Sequence, residues 1–188
     1  MSVPITREEA FDLLRESVQN ENLVKHCLAT EAIMKKVAER LGEDPHTWAI
    51  AGLLHDLDFE ETKDSPTEHT KRTVEILKDR SFPDDALRAI QEHNAEGLGI
   101  PRESRFGIAL ACSETITGLI VAAALVYPDK KLASVKPKSV RKRMKEGAFA
   151  RNVNREIIRE CERIGLPLDE FIQLSLTAMQ DIAAQLGL

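Results

Sequence analysis

The stretch AGLLHDLDFEETKD, residues 51–64, decides how the chain is read. Small and apolar residues run straight into His55 and Asp56, and a charged segment follows. An imidazole and a carboxylate are costly to bury side by side unless something binds them both. The pair is therefore a candidate metal site, an acid–base pair, or a polar helix end.

Working outward, helix signals dominate and no strand alternation persists. Thr6 and Glu9 are spaced as a capping box ahead of an apolar stripe. Leu23, Val24, Cys27, Ala29, Ile33, Val37 and Leu41 keep a helical period that Gly42 ends. Asp44-Pro45 reads as the cap and first turn of the helix that ends on His55. A polar loop over 61–67 precedes a helix expected to start at Pro66-Thr67 and to carry His69, Thr73, Ile76 and Leu77. Pro83-Asp84-Asp85 opens the next, through His93, and Gly97 and Gly99 break it. A long apolar helix is expected from about Arg105 to Val126, ended by Pro128. A basic stretch, 130–146, precedes a short helix from Ser139; further helices are expected over 154–164 and from Asp169 to the end. The expected fold is all-α, a single-domain helical bundle over 1–188.

Composition narrows the function. Hydrophobic residues make up 43% and charged residues 30% of 188, which suits a folded chain with a real core. A formal net charge of -5 makes nucleic acid an unexpected partner, and 4% aromatics argue against stacking platforms for single strands. Cys27, Cys112 and Cys161 are odd in number and widely spaced, which favours a reducing compartment. No signal-like segment opens the chain, and the apolar run 116–126 is short of the ~20 residues that span a bilayer. A cytoplasmic protein with no membrane partner is expected.

The five histidines are scarce enough to be placed one by one. His46, just after Pro45, reads as a first-turn surface residue. His26, His55, His69 and His93 fall on four separate expected helices, where each can point inward. Ligands converging from facing helices are how metal sites in bundles are made. Neighbours on a helix diverge by ~100°, so His55 and Asp56 suit two neighbouring ions better than one, with the carboxylate bridging. Mixed imidazole and carboxylate ligands suit Mn, Fe, Co, Ni or Zn better than Ca or Mg.

With these residues in view, the chain resembles the HD-domain metal-dependent phosphohydrolases, a superfamily named for an adjacent His-Asp pair. The first histidine of the pattern matches His26 in LVKHCLATEAIM, and the pair matches His55 and Asp56 in LLHDLDFE. The extra histidines of two-metal members match His69 in SPTEHTKRTVEIL and His93 in AIQEHNAEG. The resemblance covers about 20–126, the metal-site core, and extends through TGLIVAAALVYPDKKLASVKPKSVRKRMKEGAFARNVNRE toward a subgroup of small bacterial and archaeal HD proteins; the basic segment and helices of 127–188 complete the domain. The late ligand of the pattern is an aspartate; in ALACSETITGLI its place falls on Glu114, one methylene longer.

The resemblance implies hydrolysis of a phosphomonoester or phosphodiester, nucleotides included, by a metal-activated water with one or two divalent transition ions. It implies His26, His55, Asp56 and Glu114 at one ion and Asp56, His69 and His93 at the other. With one ion only, His69 and His93 are free to orient phosphate or donate a proton. Asp58 and Glu60 could reach the ligands' outer partners or serve as acids, and for Glu60 a solvated loop acid is preferred. In the basic stretch, Lys138 beside Ser139, Lys142, Arg151 and Arg155 are candidate phosphate contacts, with Arg151 in FARNVNRE foremost. The rival readings are a metal- or nucleotide-binding module with little turnover and a metal-free scaffold. The long apolar helix is expected either to bury itself within one chain or to help form a homodimer.

Overall fold

The computed structural model describes residues 5–188. Among them there is no strand. The capping box at Thr6 is formed: the Glu9 amide donates to Thr6 Oγ1 at 3.2 Å and the Thr6 amide to Glu9 Oε2 at 2.8 Å. It starts α1 (Arg7–Ser17). The amides of Gln19 and Asn20 donate to the Glu60 carboxylate at 2.8 and 2.9 Å, so Glu60 caps the entry to α2 (Glu21–Leu41). An anion there also meets the positive end of the helix. Gly42, at φ 74°, ends α2 in the left-handed conformation that glycine adopts at least cost.

Asp44 then caps α3 (Pro45–Leu54), with His46 exposed in its first turn. This helix crosses α2 closely because Gly52 sits at the crossing. A Cβ there would lie 3.0 Å from both Met34 Cγ and the Thr30 carbonyl oxygen. Every residue from Thr47 to Asp58 is buried.

Short α4 (Phe59–Thr62) follows, then α5 (Lys71–Lys78), α6 (Asp84–His93) and α7 (Ala95–Leu98). The expected start of α5 at Pro66-Thr67 is displaced to Lys71. Thr70 stands at φ 79°, which no helix accommodates, so His69 lies on a turn and not on a helix.

The centre of the bundle is α8 (Arg105–Leu125), which packs against α2, α3 and α6 and against the later helices. It is buried around most of its circumference, and Phe106 stacks on Trp48 with ring centroids 4.6 Å apart. By length and composition it could cross a membrane, but 67% of its apolar window is buried by the rest of the chain. The helix spans the residues expected of it, and its length exceeds the apolar run 116–126 alone.

Beyond it come α9 (Pro137–Arg143), α10 (Arg155–Arg159), α11 (Leu168–Asp181) and α12 (Ala183–Leu186). The helix expected over 154–164 is split, its second half tightening into a 3₁₀ turn before Gly165 at φ 84°. The Arg155 guanidinium holds the loop before α10. It donates to the carbonyls of Ala150 and Val153 at 2.7 and 2.6 Å, and to those of Glu146 and Phe149.

Candidate metal centre

Four elements bring four imidazoles to one carboxylate. The Asp56 Oδ2 atom lies 3.5 Å from His55 Nε2 and 3.8 Å from His26 Nε2. Its Oδ1 atom lies 3.2 Å from His69 Nε2 and 3.4 Å from His93 Nε2. Within each pair the two Nε2 atoms are 3.2 Å apart. The donor atoms of His26, His55 and Asp56 form one group within 4.8 Å of one another, and those of Asp56, His69 and His93 a second.

The outward face of each ring fixes its tautomer. His55 Nδ1 donates to the Gly52 carbonyl at 2.8 Å and His93 Nδ1 to the Ile90 carbonyl at 2.5 Å. Both use the same device: a histidine at a helix end, bonding a carbonyl three residues back that the ending helix leaves open. His69 Nδ1 donates to Asp58 Oδ1 at 2.8 Å. His26 Nδ1 lies 2.9 Å from Thr117 Oγ1, whose own proton goes to the Glu114 carbonyl at 2.6 Å, so the imidazole is the donor.

With every Nδ1 protonated, a neutral ring presents a bare lone pair at Nε2. Four such lone pairs facing one another around a carboxylate repel unless a cation, a metal ion or a proton, lies between them. The donor set, imidazole nitrogen plus carboxylate oxygen, fits a divalent transition metal, and the outer hydrogen bonds are those that orient metal-bound histidines.

The charges respond accordingly. Burial pushes the Asp56 carboxyl up, but the imidazoles of His55, His69 and His93 gathered around it hold it well below its usual range. Burial lowers His55 to about 3, against the pull of Asp56, so its ring stays neutral. Burial also lowers His26. For His69, burial is overridden by the hydrogen bonds to Asp56 and Asp58, and its pKa rises to about 9. A ring that gains a second proton in this way marks where positive charge is wanted.

Glu114 is not brought into either group of donors. It keeps some exposure, its carboxyl accepts from Thr115 Oγ1, and burial of that carboxyl, with the Asp56 charge adding to it, raises its pKa to about 8. Asp58 proves to be a positioning group: besides His69 it accepts from the amides of Thr70 and Thr73 at 3.1 and 3.2 Å. Thr117, Asn94 and Arg102 were not anticipated. Asn94 Nδ2 donates to the His69 carbonyl at 3.2 Å, and buried Arg102 donates to the His93 carbonyl at 3.1 Å. Thr117 alone had a signal, standing three residues after Glu114 on the same helix face. Among the basic candidates, Lys138 and Arg151 are exposed, Lys142 lies 3.7 Å from Glu146, and Arg155 is committed to backbone carbonyls. Ser139 is likewise engaged, donating to the Lys136 carbonyl at 2.7 Å.

A helical bundle that gathers a His-Asp pair and three further histidines from separate elements defines a class of divalent-metal-binding proteins. The HD domain family matches over residues 23–125, and the chain belongs to that family. HD domains bind divalent metals and are generally hydrolases. The chain is also similar to a tRNA (cytidine(56)-2'-O)-methyltransferase from Picrophilus torridus, 24% identical over 127 residues. That similarity covers 65% of this chain and 37% of the methyltransferase. No solved structure matches the chain.

Proposed function

We propose that the chain is a metal-dependent phosphohydrolase acting on a phosphomonoester or phosphodiester, with nucleotides among the candidate substrates. The supporting observation is the pairing of four Nε2 atoms, two on each oxygen of Asp56. On this reading His26, His55 and Asp56 hold one ion and Asp56, His69 and His93 a second. Ions of the Mn, Fe, Co, Ni or Zn type in these places supply Lewis acidity toward phosphoryl oxygens and lower the pKa of water.

The chain's own residues do the rest. Asp58 keeps the His69 lone pair turned inward, and Thr117 does the same for His26. Where only the first group is filled, His69, hydrogen-bonded through Nδ1 to Asp58, is the group placed to hold a proton and deliver it to a leaving oxygen. Of Lys138, Lys142 and Arg151, the reading keeps Arg151 as the phosphate contact. Its loop meets α8 at Gly118, where a Cβ would lie 3.2 Å from Val153 Cγ2, next to Thr117.

The test is a panel of p-nitrophenyl esters and nucleotides with Mn, Co, Ni and Mg. Turnover that depends on added metal and disappears in His55→Ala and Asp56→Ala is expected; a rate that survives both variants refutes the assignment. A second reading, a metal- or nucleotide-binding module with little turnover, is favoured by one observation: Glu114 stands outside both groups. The methyltransferase similarity does not carry either reading, since it spans 37% of that protein.

A further inference from the structure

On the two-ion reading of the centre, on which this rests, we propose that Thr70 is a positioning residue that makes the second metal position conditional. A strained turn carries His69, and an ion held by His69 and His93 is what keeps that turn closed.

The two groups of donors stand on different supports. His26 lies inside α2, and His55 ends α3, whose close approach to α2 depends on Gly52. His93 is the last residue of α6. His69 alone of the four lies on a turn, two residues before α5. The Lys71 amide closes that turn by donating to the Glu68 carbonyl at 3.2 Å.

Within the turn, Thr70 stands at φ 79° and ψ -20°. Turns that need a positive φ take glycine, because a side chain crowds the backbone there and a β-branched one crowds it most. The chain follows that rule elsewhere: Gly42, Gly99, Gly165 and Gly187 take φ between 66° and 84° at helix ends. The other non-glycine residues at positive φ, among those described, are Ser81, Lys130 and Ala150, none of them β-branched or fully buried. Thr70 is both.

Hydrogen bonding does not explain the threonine. Its hydroxyl is buried and has no partner among the described residues. The backbone is held from outside the turn. The Thr70 amide donates to Asp58 Oδ1 at 3.1 Å, the oxygen that also takes His69 Nδ1 at 2.8 Å, and Asn94 Nδ2 donates to the His69 carbonyl at 3.2 Å. The turn is thus loaded like a spring. Closed, it aims His69 Nε2 at Asp56 Oδ1, 3.2 Å away. Relaxed to negative φ, Thr70 loses its strain and draws His69 away from Asp56. An ion between Asp56, His69 and His93 binds only the closed form. Its apparent affinity therefore falls with the fraction of chains in that form, and binding shifts the turn toward it. The first position, on helices, meets no such turn.

The experiment is titration of the metal-free protein with Mn or Co in competition with a chelator, with circular dichroism confirming the fold of each variant. The double His69→Ala/His93→Ala chain keeps only the first position and identifies that ion's affinity. Thr70→Gly makes the positive φ easy without touching a ligand atom; it should tighten the second ion about tenfold and leave the first unchanged. Thr70→Asn, which also tolerates positive φ, should act in the same direction without the looseness of glycine. Thr70→Val keeps the branch and the strain, drops the hydroxyl, and should tighten neither ion. Hydrogen exchange reads the turn directly: the Thr70 and Lys71 amides should become protected as the second ion binds. Three results overturn the proposal: a second ion that neither Thr70→Gly nor Thr70→Asn tightens, a gain in Thr70→Val equal to that in Thr70→Gly, or equal protection of the two amides with and without the ion. A wild-type chain that takes no second ion instead overturns the two-ion reading, and the conditional position falls with it.

Discussion

Asp58→Asn tests whether the histidines are ligands held by outer hydrogen bonds. Asp58 is 1% exposed, and its two oxygens take three bonds. Oδ1 accepts from His69 Nδ1 and the Thr70 amide, and Oδ2 from the Thr73 amide. An asparagine supplies one acceptor oxygen in place of two. If that oxygen faces His69, the amide nitrogen meets the Thr73 N–H and one buried donor goes unpaired, at a cost of about 1–3 kcal/mol. If the amide turns over, its nitrogen meets His69, and the ring must accept at Nδ1 and carry its proton on Nε2, the ligand atom. Either outcome weakens the site. Loss of such an outer partner typically lowers metal affinity about 10–100-fold, or roughly 1.4–2.7 kcal/mol. Competition of the protein against a chelator for Mn or Co measures it, with circular dichroism confirming the fold. An affinity within about twofold of the wild type in a folded variant refutes the reasoning.

Other expectations follow from the same geometry. Thr117→Val removes the acceptor for His26 Nδ1, and about tenfold weaker metal binding at the first group is expected in chelator competition. Gly52→Ala forces α3 off α2 and should cost about 1–3 kcal/mol in denaturant unfolding, with unchanged stability counting against the close crossing. His69 carries a proton up to about pH 9 in the metal-free protein, so metal binding near pH 7.5 should release about one proton and tighten about tenfold per pH unit until pH 9. Calorimetry in two buffers of different ionisation enthalpy reads the release. The same raised pKa stabilises the metal-free fold fully below the unfolded value of about 6.5, and that contribution is lost as pH rises through about 9.

The elements that caps and periodicity govern were legible in the sequence. Thr6 with Glu9, Gly42, and Asp44 with Pro45 each mark a boundary through local chemistry, and the structure places them there. His26, His55, His69 and His93 were legible as a group because histidine is scarce and the four, with Asp56, fall in the order of a known family pattern. The start of α5 was not, because it depends on Thr70 at φ 79°, a conformation no propensity favours. That turn is held from a distance by Asp58, whose carboxylate binds the Thr70 amide. Asn94 and Arg102 act on backbone carbonyls of the histidine-bearing segments, and such contacts leave no spacing to read. Arg155 looked like a phosphate contact for the same reason: a guanidinium in a basic, Asn-containing stretch carries no sign that loop carbonyls will claim it.

The central claim is that Asp56 joins two metal positions. Metal content by plasma emission spectroscopy, on protein loaded with Mn or Co and freed of excess ion, tests it most directly. Two ions per chain are expected in the wild type. Asp56→Ala should lose both, and a double His69→Ala/His93→Ala variant should keep one. A wild-type chain that binds no ion, or an Asp56→Ala protein that keeps its full complement, contradicts the claim.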